Sequence, residues 1–160
     1  MTANPADPAK KVILLDLNYT LVANNPPRGT TPPRMETRLA NEEYRQWLVE
    51  LVRPHTVILI SARPATWTVK TLDCIEEKTG WRPDDACFAP KGWWNPPAIK
   101  EHLLKKEIFP AHGKDAQYLA IESNPRTREM YARFEIPCYW VTKEGTCLTD
   151  GTRIAKRLPR

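Results

Sequence analysis

Lys11-Val12-Ile13-Leu14-Leu15-Asp16-Leu17-Asn18-Tyr19-Thr20-Leu21 is the stretch that decides the fold. Four aliphatic residues in a row run into a carboxylate, with Asn two positions and Thr four positions beyond it. An unbroken apolar run of this length predicts a strand buried on both faces of a parallel sheet. Ligands of open α/β sheets bind at the carboxyl ends of the strands, so Asp16 is expected to face a crevice there.

Working outward, the same pattern recurs. Thr56-Val57-Ile58-Leu59-Ile60 predicts a second buried strand ending at Ser61, and Gln117-Tyr118-Leu119-Ala120-Ile121 another ending at Glu122. Weaker strands are expected at 86–89 and 138–141. Between them the spacing predicts helices. One covers 42–52 with Asn41 as N-cap, one covers 65–79 behind Pro64 and is stopped by Gly80, and two more cover 97–107 and 126–134. Residues 1–9 read as a loose arm, 23–37 as an irregular Pro-rich flap, and 143–160 as a basic polar tail. Strands alternating with helices predict a three-layer α/β/α sandwich with a central parallel sheet, a Rossmann-like core, built as a single domain over 1–160.

The 160 residues suffice for one sizeable core. A net charge of +5 suits an anionic partner such as a phosphorylated small molecule or nucleic acid, although solubility alone also accounts for it. No apolar run is long enough to span a bilayer, and the start of the chain lacks a signal core. Cys74, Cys87, Cys138 and Cys147 form no C-x-x-C pair and no zinc-like spacing with His55, His102 or His112. The expectation is a reduced, cytoplasmic protein with no structural metal and no membrane partner.

Collecting the polar residues at the strand ends gives Asp16, Ser61 and Glu122, with Lys91 or Lys100 on the neighbouring loop and helix. A nucleophilic carboxylate, a hydroxyl, a cation and a second acid form a set suited to phosphoryl transfer: the carboxylate attacks phosphorus, and positive charge stabilises the phosphoryl oxygens. Lys100 competes with Lys91 for the role of cation, and a helix holds Lys100 more rigidly.

These residues resemble the haloacid-dehalogenase-like superfamily of phosphotransferases. Asp16-Leu17-Asn18-Tyr19-Thr20-Leu21 is similar to that family's D-x-D-x-T-L signature, Ile58-Leu59-Ile60-Ser61 to its second motif, Lys100 to its third-motif lysine, and Leu119-Ala120-Ile121-Glu122 to its acidic fourth motif. Within the superfamily, Ser61-Ala62-Arg63 and the final strand–helix–strand unit resemble the 3′-phosphatase domain of phage-type polynucleotide kinase. No kinase P-loop is present. The resemblance implies a Mg²⁺-dependent phosphomonoesterase, with a nucleotide or nucleic-acid 3′-phosphate end as leading substrate. It implies Asp16 as nucleophile and metal ligand, the residue-18 backbone carbonyl and Glu122 as further ligands, and Ser61 and Lys100 as catalytic contacts to the phosphoryl group. Thr20, Arg63 and Lys91 are the expected substrate-side residues.

Two positions depart from the pattern. Asn18 stands where the family's acid–base residue is expected, and a positioned acid–base group contributes roughly 10²–10⁴-fold. Glu122-Ser123 stands where an Asp pair is expected, which lowers metal affinity; Asn124 offers a neutral oxygen nearby. Three explanations fit Asn18: a slow enzyme using another base, a binding module on the same fold that has given up turnover, or an Asp-to-Asn change of the kind used to trap a phosphate complex. The segments after Thr20 and after Ser61 are too short for a folded cap, so an open site is expected, one that admits a large substrate. Trp93 and Trp94 beside Lys91 suggest base stacking or simple packing of a loop on the sheet edge.

Overall fold

The computed structural model describes residues 11–91, 95–149 and 152–153. The sequence readings for 1–9, for Trp93 and Trp94, and for the last seven residues lie outside them.

Val12–Asp16 forms the first strand, β1, and a kinked turn over Leu17–Leu21 follows it directly. Two short helices come next, α1 at Met35–Asn41 and α2 at Gln46–Val52. β2 spans Thr56–Pro64, α3 spans Thr68–Thr79 and β3 spans Asp85–Ala89. α4 at Pro96–Leu103 runs through a widened turn at Leu104–Ile108 into the short α5 at Phe109–His112. β4 at Tyr118–Glu122, α6 at Pro125–Arg133 and β5 at Cys138–Val141 complete the alternation, and β6 at Cys147–Thr149 and β7 at Thr152–Arg153 close the described chain.

The sheet order is β3-β2-β1-β4-β5-β6-β7. The first five strands are parallel, and β6 and β7 are antiparallel additions at the edge. The chain winds outward from β1 to β3 and then crosses to the other side of β1 to lay down β4. The strand order therefore reverses between β1 and β4, and their carboxyl ends part to leave a crevice. In register, Asp16 lies level with Ile60, and Leu15 with Ile121, so Asp16 and Glu122 both finish at this edge.

Two apolar layers hold the sheet. Ile13, Leu15, Val57, Leu59 and Ile121 pack against Leu48, Val52 and Ile75 of α2 and α3. Leu14, Ile58, Ile60 and Ala120 pack against Ile99, Leu103, Met130 and Tyr131 of α4 and α6. Successive residues of β1 enter opposite layers, which is why the strand reads as a continuous aliphatic run instead of an alternation. The α/β/α sandwich expected from the sequence is the observed fold. No helix among the described residues is long and apolar enough to cross a membrane.

Three local expectations are corrected. Asn41 ends helix α1 and does not cap a helix over 42–52. Residues 42–45 are non-helical, and Tyr44 pairs with Val22 in an isolated antiparallel bridge. Asn24 holds this arrangement, its side chain bonding both the Asn41 carbonyl and the Glu43 N–H. Second, the flap read over 23–37 ends inside α1, which Lys78 of α3 fastens by donating to the carbonyls of Leu39, Ala40 and Glu42. Third, the stretch read as a polar tail from 143 contributes β6, because Cys147 is buried against the Tyr139–Val141 face.

Candidate phosphoryl-transfer site

β1 ends at Asp16 and the chain cannot continue straight, because Leu17–Leu21 folds into a turn wider than an α-helix. Val22 N–H reaches back to the Leu17 carbonyl at 3.0 Å. Inside the turn Asn18 is extended (φ −69°, ψ 133°) and Tyr19 is left-handed (φ 62°, ψ 4°). Tyr19 is an uncommon residue for that conformation. It is held by its N–H donating to Asn25 Oδ1 at 2.5 Å and its hydroxyl donating to the Pro26 carbonyl at 2.7 Å. The turn swings Thr20 back beneath Asp16, where Thr20 Oγ1 donates to Asp16 Oδ2 at 2.6 Å. Arg45 braces it from below, donating to the Thr20 carbonyl at 2.5 Å.

Lys100 comes from α4, on the far side of the crossover. Asn95 caps this helix and Pro96 opens it, so the helix starts at the crevice and aims Lys100 inward. Its ammonium donates to Asp16 Oδ1 and to Glu122 Oε2, each at 2.6 Å. All three groups are buried: Asp16 is 6% exposed, Lys100 3% and Glu122 1%. The other oxygen of Glu122 accepts the backbone N–H groups of Ser123 and Asn124.

One ammonium between two buried carboxylates leaves an imbalance. Burial pulls the Lys100 pKa down, but Asp16 and Glu122 outweigh it and the net shift is upward. Glu122 carries the cost of the surplus charge. It is pushed up to about 8, by burial first and then by Asp16 beside it, with Lys100 drawing it part of the way back.

A cavity of about 150 Å³ opens on this cluster, lined among others by Asp16, Asn18, Ser61, Lys100, Glu122 and Thr127. A larger cleft of about 460 Å³ lies at the opposite, amino edge of the sheet beside Lys11 and Phe109, remote from these groups. The structure thus brings together Asp16, Thr20, Ser61, Lys100 and Glu122, with Asn18 at the rim. Lys91 does not join them: it is exposed on the turn after β3, and Lys100 is the cation that meets the carboxylates. Arg63 is turned inward. Its guanidinium pairs with Glu42, bonds Thr71 Oγ1 at 3.0 Å and reaches Asn18 Oδ1 at 3.1 Å, so its contact with the site runs through Asn18.

The sequence reading missed Arg28, Asn25, Glu42 and Arg45. Arg28 lines the cavity from the flap, its guanidinium 4.0 Å from the centre of the Tyr19 ring. None of the four belongs to a periodic element, and only the folded flap and turn bring them near Asp16.

The metal expectation rests on donor chemistry. Mg²⁺ takes hard oxygen ligands. Asp16, Glu122 and the Asn18 backbone carbonyl are oxygens of that class, so the donor types fit, while the Asn124 side-chain oxygen already accepts the Arg126 N–H as the cap of α6. Among the described residues, no group of three or more His, Cys, Asp or Glu could hold a metal ion. A cation here would therefore lean on two carboxylates, both already bonded to Lys100.

No family model matches this chain, and no curated protein matches it. Among solved structures, a chain of the Pnkp1/Rnl/Hen1 complex is similar over 89% of this chain and 50% of its own length, with a TM-score of 0.65 and 18% identity. This likeness is one of fold. The present chain spans half the length of that neighbour.

Proposed function

We propose that this chain is a phosphoryl-transfer domain acting on phosphomonoesters, with a nucleotide or nucleic-acid 3′-phosphate end as substrate class. The observation that carries the reading is the buried Asp16–Lys100–Glu122 cluster at the sheet's carboxyl edge. The ordered motifs that resemble haloacid-dehalogenase-like phosphatases support it, as does the fold shared with a chain of the Pnkp1/Rnl/Hen1 complex.

In this reading a carboxylate oxygen of Asp16 attacks phosphorus and the ester oxygen departs with the bonding electrons, leaving an aspartyl-phosphate. Lys100 and the Ser61 hydroxyl hold the phosphoryl oxygens, and Thr20 keeps Asp16 aligned for attack. Water then cleaves the acyl-phosphate, releasing inorganic phosphate and restoring the carboxylate. Mg²⁺, held by Asp16, the Asn18 carbonyl and Glu122, would supply further charge stabilisation. The departing alkoxide takes its proton from solvent, because the amide of Asn18 cannot shuttle one near neutral pH. Turnover is accordingly slow. Asn18 is also the specific observation that favours a second reading, a phosphate-binding module on the same fold.

Hydrolysis of p-nitrophenyl phosphate and of a 3′-phosphorylated oligonucleotide, with and without Mg²⁺, tests the proposal. Slow Mg²⁺-dependent release abolished by Asp16→Ala is the expected result. Tight phosphate binding with no turnover, even after Asn18→Asp, would establish the binding module instead.

A further inference from the structure

Arg63 stands out as a buried cation with no direct route to the cavity. It is 2% exposed, and Glu42, its counter-ion, is 5% exposed. Nη1 donates to Glu42 Oε1 at 3.2 Å and to Thr71 Oγ1 at 3.0 Å, while Nη2 donates to Glu42 Oε2 at 2.5 Å. The guanidinium charge is thus matched by one carboxylate, and what remains is direction. Nη2 also donates to Asn18 Oδ1 at 3.1 Å.

A guanidinium only donates, so it selects the oxygen of Asn18 and excludes the nitrogen. Asn25 reinforces the choice. Its Oδ1 is occupied by the Tyr19 N–H, which leaves its Nδ2 to face Asn18 Oδ1 at 3.4 Å, a weaker second donor to the same atom. With the oxygen of Asn18 held on the Arg63 side, the two N–H bonds of its amide are left for the cavity that Asn18 lines. The backbone of Arg63 has a parallel effect on Ser61. Its N–H donates to Ser61 Oγ at 3.0 Å, which leaves the hydroxyl proton of Ser61 free to donate.

We propose that Arg63, assisted by Asn25, is a positioning residue that fixes the polarity of Asn18, so that the cavity presents a neutral amide donor alongside Ser61 and Lys100 to an anionic oxygen. The inference rests on the phosphoryl-site reading and adds to it that Asn18 serves as an anion-recognising donor and Arg63 acts only through it. Position 18 then contributes to phosphate affinity what it withholds from proton transfer. Glu42, fastened by Lys78 through its own carbonyl, keeps the guanidinium aimed.

A double-mutant cycle with inorganic phosphate as probe, in the presence of Mg²⁺, tests this. Phosphate affinity is measured for the unaltered chain, Asn18→Ala, Arg63→Met and the double variant, with Glu42→Gln added only where Arg63 is replaced, so that no buried carboxylate is stranded and Arg63 keeps its counter-ion where it is present. Arg63→Met is expected to weaken phosphate binding about tenfold when Asn18 is present, the scale of a hydrogen bond to a charged group, and less than about twofold in the Asn18→Ala background. Equal losses in both backgrounds would overturn the proposal. In parallel, the side-chain NH₂ resonances of Asn18, identified by their loss in Asn18→Asp, are expected to shift on adding phosphate to the unaltered protein. Phosphate binding that leaves them unmoved overturns the polarity assignment alone, and failure of the unaltered chain to bind phosphate overturns the phosphoryl-site reading and this inference with it. Should the Arg63 variants not fold, Asn25→Ala replaces them, with a smaller loss expected and confined to the Asn18 background.

Discussion

Lys100 Nζ lies 2.6 Å from Asp16 Oδ1 although the two residues are 84 positions apart in the chain. The same ammonium holds Glu122 at the same distance, so the alignment of Asp16 and the site's charge balance depend on one side chain. Lys100→Met is therefore expected to reduce phosphoester hydrolysis by more than about 10²-fold, as loss of an oriented charge contact does. It is also expected to destabilise the fold by about 3–5 kcal/mol, because two buried carboxylates lose their counter-ion. Chemical denaturation alongside the activity assay separates the two effects.

Asn18→Asp places a titratable group at the cavity rim and removes the amide donors. Turnover of p-nitrophenyl phosphate is expected to rise by roughly 10²-fold, the low end of what a positioned acid–base group contributes. Affinity for the product phosphate is expected to fall, since a carboxylate next to Asp16 repels it. A rise in kcat accompanied by weaker phosphate inhibition is the outcome to look for.

The pH dependence of stability follows from Glu122. A carboxyl whose pKa is raised on folding favours the protonated folded state. Its contribution is fully present below the unfolded value of 4.5 and is lost as pH climbs toward about 8. Lys100, shifted upward, keeps its contribution across that window. In chelator, the melting temperature is expected to drop between pH 5 and pH 8, and Glu122→Gln is expected to flatten that slope.

Arg45 offers a test of the turn that shapes the site. Its guanidinium donates to the Thr20 and Tyr19 carbonyls and to the Lys143 carbonyl near the sheet edge. Arg45→Met is expected to cost about 2 kcal/mol of stability through the unpaired carbonyls. It is also expected to lower activity by misplacing Thr20 against Asp16, while Gln46→Ala next to it, on an exposed helix surface, changes neither beyond about 0.5 kcal/mol. Urea denaturation midpoints and hydrolysis rates check both halves.

Much of the architecture was legible because strand burial writes itself into composition. Ile13, Leu14 and Leu15 must all be apolar when both faces of β1 are covered, and the strand-end positions of Asp16 and Glu122 follow from where those runs stop; β2, expected to end at Ser61, instead runs on to Pro64 through a break in register after Ser61. Lys100 could be placed on a helix by its neighbours Ile99 and Leu103. Glu42 and Arg63 were not legible in the same way. Glu42 looked like a first-turn helix acid, and its actual partner lies 21 residues away, brought there by the irregular flap and a cap from Lys78. Arg63 carried a family expectation of substrate contact, yet nothing in Ser61-Ala62-Arg63 reveals that Glu42 and Thr71 surround it. The kinked turn was equally hidden, since left-handed backbone at Tyr19 is imposed by Asn25 and not signalled by a glycine.

The reversal of strand order between β1 and β4 also governs when the site comes into existence. A growing chain that has formed β1, β2 and β3 already holds one carboxylate and the hydroxyl of the cluster, with the cation and second acid still to come. Asp16 and Ser61 gain Lys100 and Glu122 only after the chain crosses back over β1, and contacts of such long sequence separation form late. Acquisition of phosphate affinity during refolding should therefore trail the appearance of helical signal, and can serve as a clock for the closing step of folding.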